Sequence, residues 1–205
     1  CIDLRYGTLR IGASEITIKG EEDTHTIIRL TGSGDSVLTD TSLMISGEDA
    51  LTGIKLDGSG LSMENSGLSV ESAGISAVGI ESRDSRLNLT NSDLSITGQP
   101  QSATLILSYN GVISGTNSAL SALGKRNTTV IYARSGIVEV TGCRIESVGS
   151  SNSVYTVQCI GTVTNLKGNT ISSKGQDDTV GLVLKGSHGT VSGNIITLQP
   201  GEKRN

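Results

Sequence analysis

Residues 61–70 read LSMENSGLSV and residues 87–96 read LNLTNSDLSI. The two stretches lie 26 residues apart and agree in type along their length: apolar–polar–apolar, a polar residue, Asn-Ser, a turn former, then Leu-Ser and a β-branched apolar residue. Alternation with a period of two marks strands, against the 3.6 of helices. Each stretch therefore reads as strand, turn, strand, and its recurrence one interval later is the mark of a solenoid.

Working outward, the landmark leucine of these stretches recurs as Ile16, Leu43, Leu68, Leu94, Leu120, Ile145, Ile171 and Ile196, in steps of 27, 25, 26, 26, 25, 26 and 25. A second apolar column, Leu4, Leu30, Leu56, Ile80, Leu107, Tyr132, Val157 and Leu184, spans the same 180 residues in seven steps. The expectation is an all-β, right-handed parallel β-helix of about eight coils of roughly 26 residues, with three short strands per coil. In the third coil these carry Leu61 with Met63, Leu68 with Val70, and Val78 with Ile80. At about 4.8 Å per coil the rod is roughly 38 Å long, and parallel crossovers set its hand. Residues 1–205 read as one such domain, cut from a longer chain.

Three residues before the landmark column stand Asp40, Asn65, Asn91 and Asn117, followed by Gly142, Gly168 and Gly193, with Ala13 as the exception in the first coil. Asn, Asp and Gly tolerate left-handed backbone, so a corner is predicted there. Stacked Asn side chains form a ladder along such a corner. In the last two coils the Asn moves one place on, to Asn169 and Asn194, where the ladder is expected to shift or end.

Composition narrows function by exclusion. With 27 Gly, 4 Tyr and no Phe or Trp, the core is thin and aliphatic. The net charge is -4, and no basic run exceeds Lys125-Arg126 or Lys203-Arg204, which leaves no footprint for nucleic acid and little attraction to anionic lipid. No apolar run reaches the roughly 20 residues of a transmembrane helix. Cys1 reads either as the lipid-bearing cysteine of a mature bacterial lipoprotein or as an incidental first residue.

The segments VTNLKGNTI (163–171) and TVSGNII (190–196) resemble the short repeats of the pectate-lyase-like β-helix superfamily, and the resemblance covers essentially the whole chain. That superfamily includes polysaccharide lyases, glycoside hydrolases, phage tailspikes and adhesins. The resemblance implies an extracellular or bacterial cell-envelope setting and contact with carbohydrate. It does not choose an activity.

Candidate sites follow. Asp177, Asp178 and His188 look like two motifs of a polygalacturonase-like active site, but ten residues between Asp178 and His188 place them at different corners of one coil. Glu21, Glu22 and Asp23 fall beside Glu48 and Asp49 on successive coils, an oxygen-rich edge of the type that suits calcium. Arg83 and Arg86 flank Asp84 and read as salt-bridged turn residues. In the strand of the second column, the residue read as outward changes from Arg29, Lys55 and Gly79 to Ile106, Ile131, Thr156 and Val183. Such an apolar stripe is expected to take a partner chain, a flanking segment or a second copy. Tyr132 and Tyr155 are assigned to the core or its edge, and Tyr6 and Tyr109 to the surface. Cys143 and Cys159 fall at different corners and are not expected to pair.

Taken together the sequence favours a non-catalytic surface or secreted module for binding, adhesion or structural support, its partner a polysaccharide or a protein held at the turns or the lateral apolar face. The alternative is a polysaccharide-active enzyme, lyase or glycoside hydrolase, with an unidentified site.

Overall fold

The computed structural model describes residues 1–19, 25–150 and 153–200. Among them all regular structure is strand, twenty-one in number, and every strand pairing is parallel. The chain winds as a β-solenoid whose rungs repeat at the interval read from the sequence.

Each rung has three faces. Face 1 runs through Ile2–Arg5, His25–Thr31, Leu51–Asp57 and Ser76–Arg83, and ends at Thr179–Lys185. Face 2 begins with Arg10–Gly12, Asp35–Thr39, Gly60–Glu64 and Arg86–Thr90, and ends at His188–Ser192. In rungs 5 to 7 the long strands Ser102–Thr116, Asn127–Thr141 and Val154–Lys167 turn the corner without a break and serve both faces. Face 3 is a separate eight-stranded sheet, from Glu15–Lys19 to Ile195–Pro200. Corner 1 joins faces 1 and 2, corner 2 joins faces 2 and 3, and corner 3 leads to the next rung.

The landmark column is in register along all of face 3, from Ile16 on Leu43 to Ile171 on Ile196. Leu43, Leu68, Leu94, Leu120, Ile145 and Ile171 are buried, each worth about 1.5–3 kcal/mol against exposure. Outward from it lie Met44, Ser69, Ser95, Ser121, Glu146 and Ser172.

Corner 2 is left-handed in all eight rungs: Ala13, Asp40, Asn65, Asn91, Asn117, Gly142, Gly168 and Gly193 have φ between 46° and 64°. Of the expected Asn side-chain ladder, the Asn91 amide donates to Asn65 Oδ1 at 3.4 Å. The stronger ladder is one residue on and points inward. Thr41 N–H donates to Ser66 Oγ, Ser66 N–H to Ser92 Oγ, Ser92 N–H to Ser118 Oγ and Ser118 N–H to Cys143 Sγ, at 3.1 to 3.4 Å. Cys143 N–H then donates to Asn169 Oδ1 and Asn169 N–H to Asn194 Oδ1, both at 2.9 Å. The ladder thus changes chemistry at Asn169 and continues. Buried corner amides that no sheet reaches are paired in this way.

Corner 1 is also left-handed throughout, at Tyr6, Gly32, Gly58, Asp84, Asn110, Ser135, Gly161 and Gly186.

Face 1 corrects the second column. The inward register there is Leu4, Leu30, Leu56, Ser82, Ser108, Ala133, Cys159 and Leu184, so Ile80, Leu107, Tyr132 and Val157 do not belong to it. The cause is a bend at which two successive residues face inward, as in Ile27-Ile28, Leu105-Ile106, Val130-Ile131 and Thr156-Val157, all buried. The pairing ladder skips the first of each pair. A period of two fails at that point, and the proposed outer stripe fails with it. Ile106 and Ile131 are fully buried core residues. Thr156 is buried as well, with its hydroxyl 2.7 Å from Ser147 Oγ and 3.1 Å from the Ser172 carbonyl. Only Val183 of the four lies in the outward column.

Candidate functional site

With the register corrected, the outward column of face 1 reads Asp3, Arg29, Lys55, Glu81, Leu107, Tyr132, Gln158 and Val183. Its neighbour reads Arg5, Thr31, Asp57, Arg83, Tyr109, Arg134, Ile160 and Lys185. The first four rungs are charged, and the middle rungs are aromatic.

The two zones meet at Glu81. One of its carboxylate oxygens lies 3.2 Å from Lys55 Nζ and the other 3.2 Å from Arg83 Nε. Arg83 is thereby held over the ring of Tyr109, 5.8 Å from its centroid, a cation–π arrangement. Tyr109 in turn meets Tyr132 at 6.1 Å between centroids, the rings tilted by 57°. The ion-pair partner of Arg83 is thus Glu81, not the Asp84 that the sequence placed beside it. Tyr132 and Tyr155, assigned to the core or its edge, are half-buried on the outer surface. Rings fixed by register and by a clamped guanidinium offer a preorganised stacking surface, with polar groups close by to orient a ligand.

A small recess of about 280 Å³ between Arg83, Asp84, Tyr109 and Asn110 leads from this platform onto corner 1. There a shallow groove of about 440 Å³ crosses four rungs, lined among others by Asp35, Ser59, Asp84, Arg86, Asn110 and Val112. The Asp35 side chain sits close over Gly60, where a Cβ would have to displace its carboxylate.

The residues singled out beforehand are dispersed. Asp177 and Asp178 are exposed just before Thr179–Lys185, and His188 opens the strand that follows it. The strand Thr179–Lys185 and the corner 1 turn at Gly186 separate Asp178 from His188. Asp178 uses its backbone carbonyl to accept the Val154 N–H at 2.7 Å. Glu48 and Asp49 are exposed at corner 3, while Glu21, Glu22 and Asp23 lie outside the described residues. Among the described residues no three His, Cys, Asp or Glu side chains are grouped to hold a metal ion. Cys143 and Cys159 are separate buried thiols, the first a corner 2 rung and the second an inward face 1 residue.

Comparison of the chain with protein-family models, with curated proteins and with solved structures finds no match. Among the described residues no helix is long and apolar enough to cross a membrane.

Proposed function

We propose that the chain is a non-catalytic β-solenoid module of a secreted or bacterial cell-surface protein, related to the pectate-lyase-like superfamily, that binds polysaccharide along face 1. The observation that carries this reading is the Arg83–Tyr109–Tyr132 row, three side chains from successive rungs on an outer face, each set against the next. A stiff parallel scaffold holds them at fixed spacing with no loop to reorganise, so little ordering entropy is lost on binding. Sugar rings present apolar C–H faces to aromatic rings and hydroxyls to the Asp84, Asn110 and Arg86 groups beside them.

The test is calorimetry against a panel of neutral and acidic oligosaccharides. At least one is expected to bind, with affinity falling tenfold or more in Tyr109→Ala and in Tyr132→Ala while the circular dichroism is unchanged. Binding that is indifferent to both substitutions sinks the reading.

The enzyme alternative draws on the corner 1 groove, where Asp35, Asp84 and Arg86 supply two carboxylates and a cation two rungs apart. Polysaccharide cleavage that disappears in Asp84→Asn, with binding retained, supports this alternative against the binding module.

A further inference from the structure

A second recess lies at the charged end of face 1, over rungs 1 to 3, two rungs before Tyr109. Arg5, Tyr6, Arg29, Thr31, Lys55 and Asp57 enclose about 510 Å³, within the range of small-ligand sites. Register dictates the grouping, because Arg5, Thr31 and Asp57 stack in one outward column and Arg29 and Lys55 in the next. Lys55 is committed to Glu81, whereas neither Arg5 nor Arg29 has an ion-pair partner within 4 Å among the described residues. Asp57 on the wall and Asp3, preceding Arg29 in its column, are the carboxylates nearest in register.

Tyr6 is the unusual member. It holds φ 63° at the corner position that glycine fills in rungs 2, 3, 7 and 8, and it is the one aromatic residue among the described positions with positive φ. A bulky side chain is strained there, and such strain gathers at functional positions. Its ring lies against Gly32, where a Cβ would come within 3.0 to 3.2 Å of Cε1 and Cδ1, and the side chain is 77% exposed. The residue thus lines the recess and buries little of itself in the core.

We infer that this recess binds the anionic group of a sugar, a carboxylate or a sulfate ester, with the Arg5 and Arg29 guanidinium groups on the oxyanion and the Tyr6 ring against the sugar. Planar guanidinium forks match both oxyanions in geometry and charge. Asp57 faces the same space and accepts from a neutral hydroxyl, which sets the charged end of the ligand toward the arginines. The site uses none of the residues of the tyrosine platform, so the two stand or fall separately.

The test is a two-dimensional NMR titration of the full chain with glucose, glucuronate and glucose 6-sulfate. One charged probe at least is expected to bind tenfold or more tightly than glucose, with affinity falling as salt is raised. A preference for glucuronate identifies a carboxylate ligand and a preference for glucose 6-sulfate a sulfate ester; equal affinity leaves charge as the determinant. Arg5→Gln and Arg29→Gln should each weaken binding at least tenfold. Tyr6→Gly, which relieves the backbone strain, should do the same while raising thermal stability, and Tyr132→Ala should leave this binding unchanged. Equal weak binding of all three sugars, or charged-probe binding that survives both Arg29→Gln and Tyr6→Gly, overturns the assignment.

Discussion

At corner 2 the position after the left-handed residue is occupied by Thr41, Ser66, Ser92, Ser118, Cys143, Asn169 and Asn194, and each N–H from Thr41 to Asn169 reaches the side chain of the next rung. At corner 1 the equivalent series starts with Ser33, Ser59 and Ser85, lapses to Gly111 and Gly136, and resumes with Thr162 and Ser187. Beneath the lapse the inward hydroxyls of Ser82 and Ser108 are buried with no hydrogen-bond partner among the described residues. The incomplete corner carries the groove and adjoins Tyr109, whereas the complete one borders a recess of about 360 Å³ on face 2, lined among others by Thr116, Glu139, Thr141, Asn165 and Lys167. The two corners therefore differ in how completely their backbone is tied, and the less completely tied one adjoins the aromatic surface.

The contrast is broken most severely at Asn169. Its Oδ1 accepts the Cys143 N–H, and its amide donates to the Val140 carbonyl at 2.8 Å and to Asn194 Oδ1 at 2.9 Å, all in a buried site. Asn169→Ala leaves a backbone donor and a carbonyl unpaired and is expected to cost about 3 kcal/mol in urea unfolding. A loss under about 1 kcal/mol would mean that water replaces the amide and that the ladder is not what secures corner 2.

Opposite signs are expected next when serine is removed from each corner region. Ser92 Oγ accepts the Ser66 N–H and offers its one proton to the Thr90 carbonyl at 2.9 Å, with the Met63 carbonyl at 3.2 Å, so Ser92→Ala should destabilise by about 2 kcal/mol. Ser108→Ala deletes a buried hydroxyl that has no partner and should stabilise by up to about 1 kcal/mol. Equal losses at both would show that the corner 1 hydroxyls are satisfied in solution.

How far these corners were legible follows from the physics of each. The landmark column and the left-handed corner could be read because one face 3 strand alternates strictly and Asn, Asp and Gly announce positive φ. The spacing also holds firm across corners 1 and 2: from Ile54 to Leu68, Ile80 to Leu94, Ile106 to Leu120 and Ile131 to Ile145 it is 14 residues. The second column slipped by one or two places at Ile80, Leu107, Tyr132 and Val157 and came back into register at Leu184, so its total span concealed the error. Two consecutive inward residues defeat an alternation rule, and Ser82 and Ser108 disguise inward positions as outward ones. The inward ladder was partly visible, since Asn169 and Asn194 stand one place beyond the turn residue and Ser66, Ser92 and Ser118 occupy the same place. In a chain this rich in serine, nothing but the structure separates those serines from solvated ones. The tyrosine platform is hidden for the same reason, because strict alternation turns Tyr132 inward.

Left-handed residues supply a smaller test of the two corners. Asn91→Ala places a Cβ-bearing residue without a local polar side chain at φ 48° and should cost about 1 kcal/mol, whereas Asn91→Gly should be nearly neutral. Ser135→Gly at corner 1, φ 60°, should raise stability by a comparable amount. These are differences in melting temperature, and absence of a gain at Ser135 would argue that its side chain supports the surface beside Arg134.

The smallest effect is expected from Cys143→Ser at neutral pH, because the hydroxyl can take the place of Sγ in accepting the Ser118 N–H, now at 3.4 Å. The substitution separates from wild type only in alkali. Burial pushes the Cys143 thiol above its ordinary 9.0, outweighing the hydrogen bonds with Ser118 and Thr141 that act in the other direction. Burial raises Cys159 likewise, against hydrogen bonds with Thr164 and Thr162. A thiol that keeps its proton longer in the folded chain than in the unfolded one makes unfolding release a proton once pH passes the unfolded value. Its contribution is therefore intact below about pH 9 and declines above it. Lysine and tyrosine ionisation also act in that range, but they act alike in both proteins. The difference between wild type and Cys143→Ser isolates the thiol: the wild type should lose stability more steeply from about pH 9 upward, and parallel curves would place Cys143 in contact with solvent and outside the ladder.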